Sequence, residues 1–251
     1  MTLRAPRFAV DIAVAFQFLT RLPAPRVEFA PDGLARAVKF FPLVGLLIGL
    51  GAALLEKALA PHLDRQVSAV IVLLYLVLIT GCLHEDGLAD VADSFGGWTR
   101  ERRLAILQDS HIGSYGVAAL ALALIGRAVL LAELPLQHFM AYLVSAHVLS
   151  RWSALPLSYY LPPARGSDGQ GARIARLTNA SSLVFGSALS LAIVVFALRS
   201  ASITPLIVAV AVSCLSGMLY MRKFDGITGD CFGATTQITE IAVYLCGVWK
   251  P

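Results

Sequence analysis

Three aspartates, Asp86, Asp90 and Asp93, stand in the stretch HEDGLADVADSFGG that opens at His84. Their spacing of i, i+4 and i+7, at about 100° per residue, places them within roughly 60° of one another on one helical face. Carboxylates so close repel strongly at low dielectric, and a divalent cation relieves that repulsion. Magnesium prefers oxygen ligands, usually one or two carboxylates completed by waters and substrate phosphates. The stripe therefore suits a metal–diphosphate site better than a closed structural one. A plainer reading is a solvated helix end, since acids near an N-terminus are favoured by the helix dipole; a cap, however, needs one or two acids and not a stripe. Glu85 points away from the stripe. His84 is placed either to orient a phosphate or shuttle a proton, or simply to sit at a membrane boundary.

Two further polar stretches add to this chemistry. In GGWTRERRLAILQDSHIGSYG, Gly96 and Gly97 end the acidic helix and Thr99 is an N-cap for a short amphipathic one. Arg102 and Arg103 have the guanidinium geometry that clamps a diphosphate, and serve equally as basic anchors beside a membrane. Asp109, Ser110 and His111 precede two glycines in a turn able to offer backbone N–H groups to an anion. In KFDGITGDCFGA, Asp225 and Asp230 flank Gly226 and Gly229 just before a new helix. Glycine there lets backbone approach a ligand, and a helix start favours phosphate.

The elements that must position these residues are apolar. The chain has 251 residues, 57% of them hydrophobic and 14% charged, with a mean hydropathy of +0.74. That is too little polar surface for a soluble domain of this length. The expected fold class is all-α: one polytopic integral membrane domain over residues 1–251, with about seven transmembrane helices. Val67–Leu83, Ser182–Leu198 and Ser200–Met221 carry no charge, and Phe40–Leu55 is apolar and glycine-rich. Gly116–Leu134, Phe139–Leu161 and Cys231–Trp249 each hold one buried charge: Arg127, Arg151 and Glu240. Such charges face the interior and pair, and equal depth predicts that Arg151 and Glu240 neutralise one another. Phe8–Leu19, stopped by Pro23 and Pro25, is short for a span and is expected to be an N-terminal interfacial helix. The opening residues lack a small-residue cleavage site, so no cleavable signal peptide is expected.

With seven spans, fourteen lysines and arginines fall on the side of the N-terminus and the motif loops (about 84–115, 162–181 and 222–230), and four on the other. This bias makes that side cytoplasmic. Four spans separate the two acidic motifs, so both return to one face and can share a site. The net charge of +4 is then explained by topology, and no nucleic-acid partner is expected. The proline- and glycine-rich LPPARGSDGQG reads as a connector, and the four cysteines as packing residues.

These motifs, with FLTRLPAP at 18–25 and FPLVGLLIG at 41–49, resemble the membrane-bound cobalamin synthases, the adenosylcobinamide-GDP ribazoletransferases. The likeness runs over nearly the whole length, in order. It departs at Gln108, where a basic residue is frequent, at Asp225, where glycine is, and at Glu85, commonly apolar. The resemblance implies a multi-pass protein of the bacterial inner membrane with its active site on the cytoplasmic face. The 3′-hydroxyl of α-ribazole, or of its 5′-phosphate, would attack the phosphorus next to the aminopropanol arm of adenosylcobinamide-GDP, and GMP would leave. On that reading Mg2+ is the cofactor, held by Asp86, Asp90 and Asp230. Asp93 is then a further ligand or a base, and His84, Arg102, Asp109, Ser110, His111 and Gly229 are substrate contacts. A homo-oligomer, or association with other enzymes of the pathway, stays open. Other magnesium-dependent membrane transferases, the prenyltransferases and CDP-alcohol phosphotransferases, also show aspartates to diphosphates. The latter want an arginine after the opening motif and further aspartates at longer spacing; the former want a second aspartate-rich helix. A transporter lined by Arg127, Arg151 and Glu240 is disfavoured, because no inverted repeat is visible.

Overall fold

The computed structural model describes residues 6–23, 32–164 and 170–249, all helix and connecting turns. The helices, in chain order, are α1 (Arg7–Leu19), α2 (Gly33–Ala37), α3 (Phe41–Leu59), α4 (Arg65–Thr80), α5 (Leu83–Ser94), α6 (Arg100–Ile106) and α7 (Ser114–Glu133). There follow α8 (Phe139–Trp152), α9 (Ala154–Tyr160), α10 (Gln170–Leu177), α11 (Ala180–Leu198), α12 (Ile203–Phe224) and α13 (Gly229–Val248). Among the described residues no strand forms, only one isolated parallel bridge between Pro163 and Ile227. The all-helical class expected from composition is what the chain adopts.

Apolarity is turned outward. Leu78, Leu122, Ile125, Val184, Phe196 and Ile207 are all more than half exposed on α4, α7, α11 and α12, whereas Arg127, Arg151 and Glu240 are buried. Large exposed apolar faces mark membrane contact, and interior charges mark its protein-facing side. Among the described residues three stretches are long and apolar enough to cross a membrane: Gly33–Leu59, Ser114–Glu133 and Ala180–Phe224. A fourth is reached if the bent pair α4–α5 counts as one span. The expected count of seven is not met by this measure, for identifiable reasons. The Phe139–Leu161 segment breaks at Ser153 into α8 and α9, where Pro156 lacks the N–H that would bond back to residue 152. α13 carries a polar, buried run of Thr235, Thr236, Gln237, Thr239 and Glu240. α4 is only 16 residues long.

Glycine explains the tightest packing. Gly45 and Gly49 face α8; a Cβ on Gly49 would lie 2.8 Å from the Val144 Cα. The small residues at i and i+4 let two backbones meet, as in membrane helix pairs. This contact anchors the main core, to which α1, α3, α4, α7, α8, α11 and α13 contribute. α1 forms where expected, and its buried Asp11 meets Arg36 at 3.1 Å and Lys39 at 3.3 Å.

The two ends of the bundle are stapled separately. At one end Arg65 donates to the carbonyls of Leu131, Ala132 and Leu134 and meets Glu56 at 3.0 Å. At the other, Arg100 donates to the carbonyls of Phe224 and Ala164, each at 2.9 Å. There the Ala164 N–H also bonds to Ile227 O at 3.0 Å, and the Ile227 N–H to Pro162 O at 2.9 Å. All three loops expected on one side thus meet at one end. The connector's residues 165–169 lie outside the described residues.

Candidate active site

The acidic motif reaches this end through a bend. Gly81 (φ 63°) and Cys82 (φ 61°), both left-handed, turn α5 by 87° from α4. We take α4 as the limb that crosses the bilayer and α5 as an amphipathic limb outside it, because α5 keeps its carboxylate face open. Asp86 is exposed, and Asp90 and Asp93 are half-buried. The opposite face of α5 packs on α13 and α7. Gly87 makes that approach possible: a Cβ there would lie 2.7 Å from the Asp230 carbonyl oxygen and 3.2 Å from the Gly233 Cα. The two acidic motifs, 144 residues apart between Asp86 and Asp230, therefore adjoin. Burial, with Asp86, Asp230 and Asp93 nearby, pushes the Asp90 carboxyl up to about 7. Asp230 opens the first turn of α13, and its Oδ2 accepts from the Thr228 hydroxyl at 3.1 Å.

Asp93 has other partners. Its Oδ2 accepts from the Gly113 N–H at 2.7 Å and its Oδ1 from the Gly116 N–H at 2.8 Å. The glycine turn does present N–H groups to an anion, and that anion is Asp93, which caps α7. Any side chain at Gly113 or Gly116 would collide with this carboxylate. In the same loop Asp109 Oδ1 accepts from the His111 N–H at 3.0 Å and pairs with its Nδ1 at 2.6 Å. That histidine holds the Asp109 carboxyl below its usual range. Asp109, Ser110 and His111 are exposed. Thr99 caps α6 as its position predicts, accepting from the Arg102 N–H at 3.2 Å, and Arg102 is exposed. Gly229 starts α13 with nothing within 4 Å of a built Cβ. Asp225 stands apart from Asp230: it ends α12 at φ 53° and meets Arg100 at 3.2 Å.

Beneath the carboxylates lies a buried ionic cluster. Arg127 Nη1 donates to Glu85 Oε1 at 2.7 Å and to Gln237 Oε1 at 2.9 Å, and its Nη2 lies 3.0 Å from Glu240 Oε2. Glu240 Oε1 pairs with Arg151 and lies 3.1 Å from His147 Nδ1. The Arg151–Glu240 pair expected from equal depth exists, shared with a second arginine and a histidine. His84 is 5% exposed, its Nε2 without a hydrogen-bond partner. Its ring is turned into the protein, a placement that does not favour the expected phosphate contact. Glu85, set aside by the spacing, proves to be Arg127's partner.

With this geometry in view, a family model described as cobalamin-5-phosphate synthase matches residues 11–248. The chain belongs to that family. Its relatives include an adenosylcobinamide-GDP ribazoletransferase of Mesorhizobium japonicum, 40% identical over 98% of this chain and 95% of the relative. Another, of Polaromonas sp., is 37% identical over 95% of this chain and 96% of the relative. A third, of Azorhizobium caulinodans, is 40% identical over 98% and 97%. No solved structure matches.

The open acidic face poses the question of whether its residues fit a divalent cation. Among the described residues no group of three or more histidine, cysteine or acidic side chains is already drawn together as a ligand set. Asp90 is half-buried, with the carboxylates of Asp86, Asp230 and Asp93 nearby, like charges that a cation would offset. Magnesium asks for one or two carboxylates and leaves the rest to water and phosphate, so an open acidic face fits the donor chemistry. Two contributors escaped the spacing. Arg100 entered only the count of fourteen basic residues on that side, and nothing in its spacing marks the carbonyls of Phe224 and Ala164 as its partners. The Glu85–Arg127 pair had a signal, an acid off the aspartate stripe and an arginine within an apolar segment, but no register to join them.

Proposed function

We propose that this protein joins α-ribazole, or its 5′-phosphate, to adenosylcobinamide-GDP with release of GMP. Its relatives carry the name adenosylcobinamide-GDP ribazoletransferase. The observation that supports the site assignment is the approach of α5 at Gly87 to the Asp230 backbone, at the end of the bundle where three loops converge. In the reaction a bond forms from the ribazole 3′-oxygen to the phosphorus beside the aminopropanol arm. The bond from that phosphorus to the oxygen bridging the diphosphate breaks, GMP departs, and the hydroxyl proton passes to solvent or to a carboxylate.

Asp86, Asp90 and Asp230 are the residues that would hold Mg2+, which when bound supplies charge neutralisation on the diphosphate. Asp93, hydrogen-bonded through both oxygens to α7, positions that helix. Arg102 and the α13 N-terminus at Gly229 are exposed donors for phosphate oxygens. The Asp109–His111 turn is exposed beside them. Fourteen basic residues against four support a cytoplasmic face for this end and a multi-pass arrangement in the bacterial inner membrane. Seven crossings stay our reading, supported by a helix in every expected segment.

Purified protein in detergent, given adenosylcobinamide-GDP, α-ribazole and Mg2+, should release GMP, and Asp86→Asn or Asp90→Asn should each abolish release while the protein still inserts. Absence of GMP with folded wild-type protein would overturn the function. Magnesium-dependent turnover in both variants at near wild-type rates would overturn the site.

A further inference from the structure

We propose that Arg127 is the positioning residue of the transfer, a buried guanidinium that sets how far the Asp86–Asp90 face of α5 stands from Asp230 on α13. The proposal rests on the function proposed above. Arg127 lies on α7 and is 2% exposed. Through Nη1 it holds Glu85, the chain neighbour of Asp86, at 2.7 Å, and Gln237 at 2.9 Å; through Nη2 it holds Glu240 at 3.0 Å. The triangle closes, because Gln237 Nε2 donates to the same Glu85 oxygen at 2.9 Å. Gln237 and Glu240 sit on the helix whose first turn carries Asp230. One planar fork thus bonds the helix of the first acidic motif to the helix of the second.

The other end of α5 is fixed to the same ruler. Asp93 accepts from the N–H groups of Gly113 and Gly116 at the start of α7. Eight residues separate Glu85 from Asp93, about 12 Å of helix, while Gly116 to Arg127 spans about 16 Å. Side chains lean toward a helix's N-terminus, so Arg127 reaches back over that difference. α5 is therefore held at two points along α7, and at the Arg127 end a side chain of α13, Gln237, joins the same bond network. A role in stability alone explains this poorly. Buried ion pairs contribute little net stability against apolar replacements of similar volume, and Arg127 Nε and Glu85 Oε2 find no hydrogen-bond partner in this cluster. What the cluster supplies is direction: fixed angles between three helices at the level just beneath the carboxylates. Misplacing a reacting group by about 1 Å costs on the order of a hundredfold in rate.

The test uses the full chain in detergent and compares wild type with Arg127→Lys, Arg127→Gln, Glu85→Gln and the double variant Glu85→Gln/Arg127→Gln. GMP release is followed against each organic substrate and against Mg2+, alongside Mn2+ binding and thermal unfolding. Lysine keeps the charge and loses the fork, so kcat should fall about tenfold or more with little change in KM for either substrate. The Mn2+ affinity should weaken with it, and the unfolding midpoint should stay near wild type. The double variant should be no worse than the single ones, since all remove one unit. Wild-type kcat and Mn2+ affinity in Arg127→Lys would overturn the proposal. So would losses that track thermal stability across all four variants. If wild type releases no GMP, the proposed function fails, and the Mn2+ comparison still decides Arg127.

Discussion

Asp90 is the side chain on which the electrostatics of this end converge. Its carboxyl is raised to about 7 from an ordinary 3.8, by burial first and then by Asp86, Asp230 and Asp93. The folded protein therefore holds a proton that the unfolded chain has released between about pH 4 and pH 7. Without a divalent cation, stability should fall as pH rises through that window. A bound cation needs the carboxylate form, so its stabilising effect should grow over the same range. Thermal unfolding from pH 5 to pH 8, in chelator and in Mg2+, measures both slopes, and Asp90→Asn should flatten them. A magnesium effect of equal size at pH 5 and pH 8 would count against Asp90 as a ligand. At this scale the stripe of three aspartates was legible, because helical spacing alone sets the face. The hydrogen bonding of Asp93 to the start of α7 was not. Its partners are the backbone N–H groups of Gly113 and Gly116, which every residue except proline possesses and no sequence pattern displays.

Between elements, the decisive contact is the crossing of α5 and α13 at Gly87, where a Cβ would sit 2.7 Å from a backbone oxygen of Asp230. Backbone cannot yield as a flexible side chain does, so Gly87→Ala must part the helices. GMP release should drop by tenfold or more, with Mn2+ binding weakened and the protein still folded, as expected of a site loosened by about an ångström. Unchanged turnover in Gly87→Ala would mean that the two motifs need not touch. Helix existence was readable from apolar runs, as α3, α7, α11 and α12 attest. Their interruptions were less so. The break at Ser153 depends on whether Pro156 bends a helix or ends it, and the 87° turn after α4 depends on two consecutive left-handed residues, one of them the cysteine Cys82. α13 was expected as a span at Cys231–Trp249, and the hydropathy measure passes it over because its buried run from Thr235 to Glu240 is polar.

For the whole molecule, parity of crossings was the strongest inference from sequence, since it required residues near 86 and near 230 to share an end without saying how. The structure joins them, and it joins the 162–164 segment to the same end through Arg100. Single cysteines in a cysteine-free background test the orientation: Ser110→Cys and Met221→Cys should label from the cytoplasmic side, and His62→Cys from the other. Labelling of Ser110→Cys and Met221→Cys from opposite sides would contradict the arrangement. The most direct test of a shared site is a Mn2+ titration followed by electron paramagnetic resonance on wild type, Asp90→Asn and Asp230→Asn. The predicted result is one tight site in wild type that both substitutions remove. A site kept at wild-type affinity in Asp230→Asn but lost in Asp90→Asn would show that the second acidic motif takes no part in holding the ion.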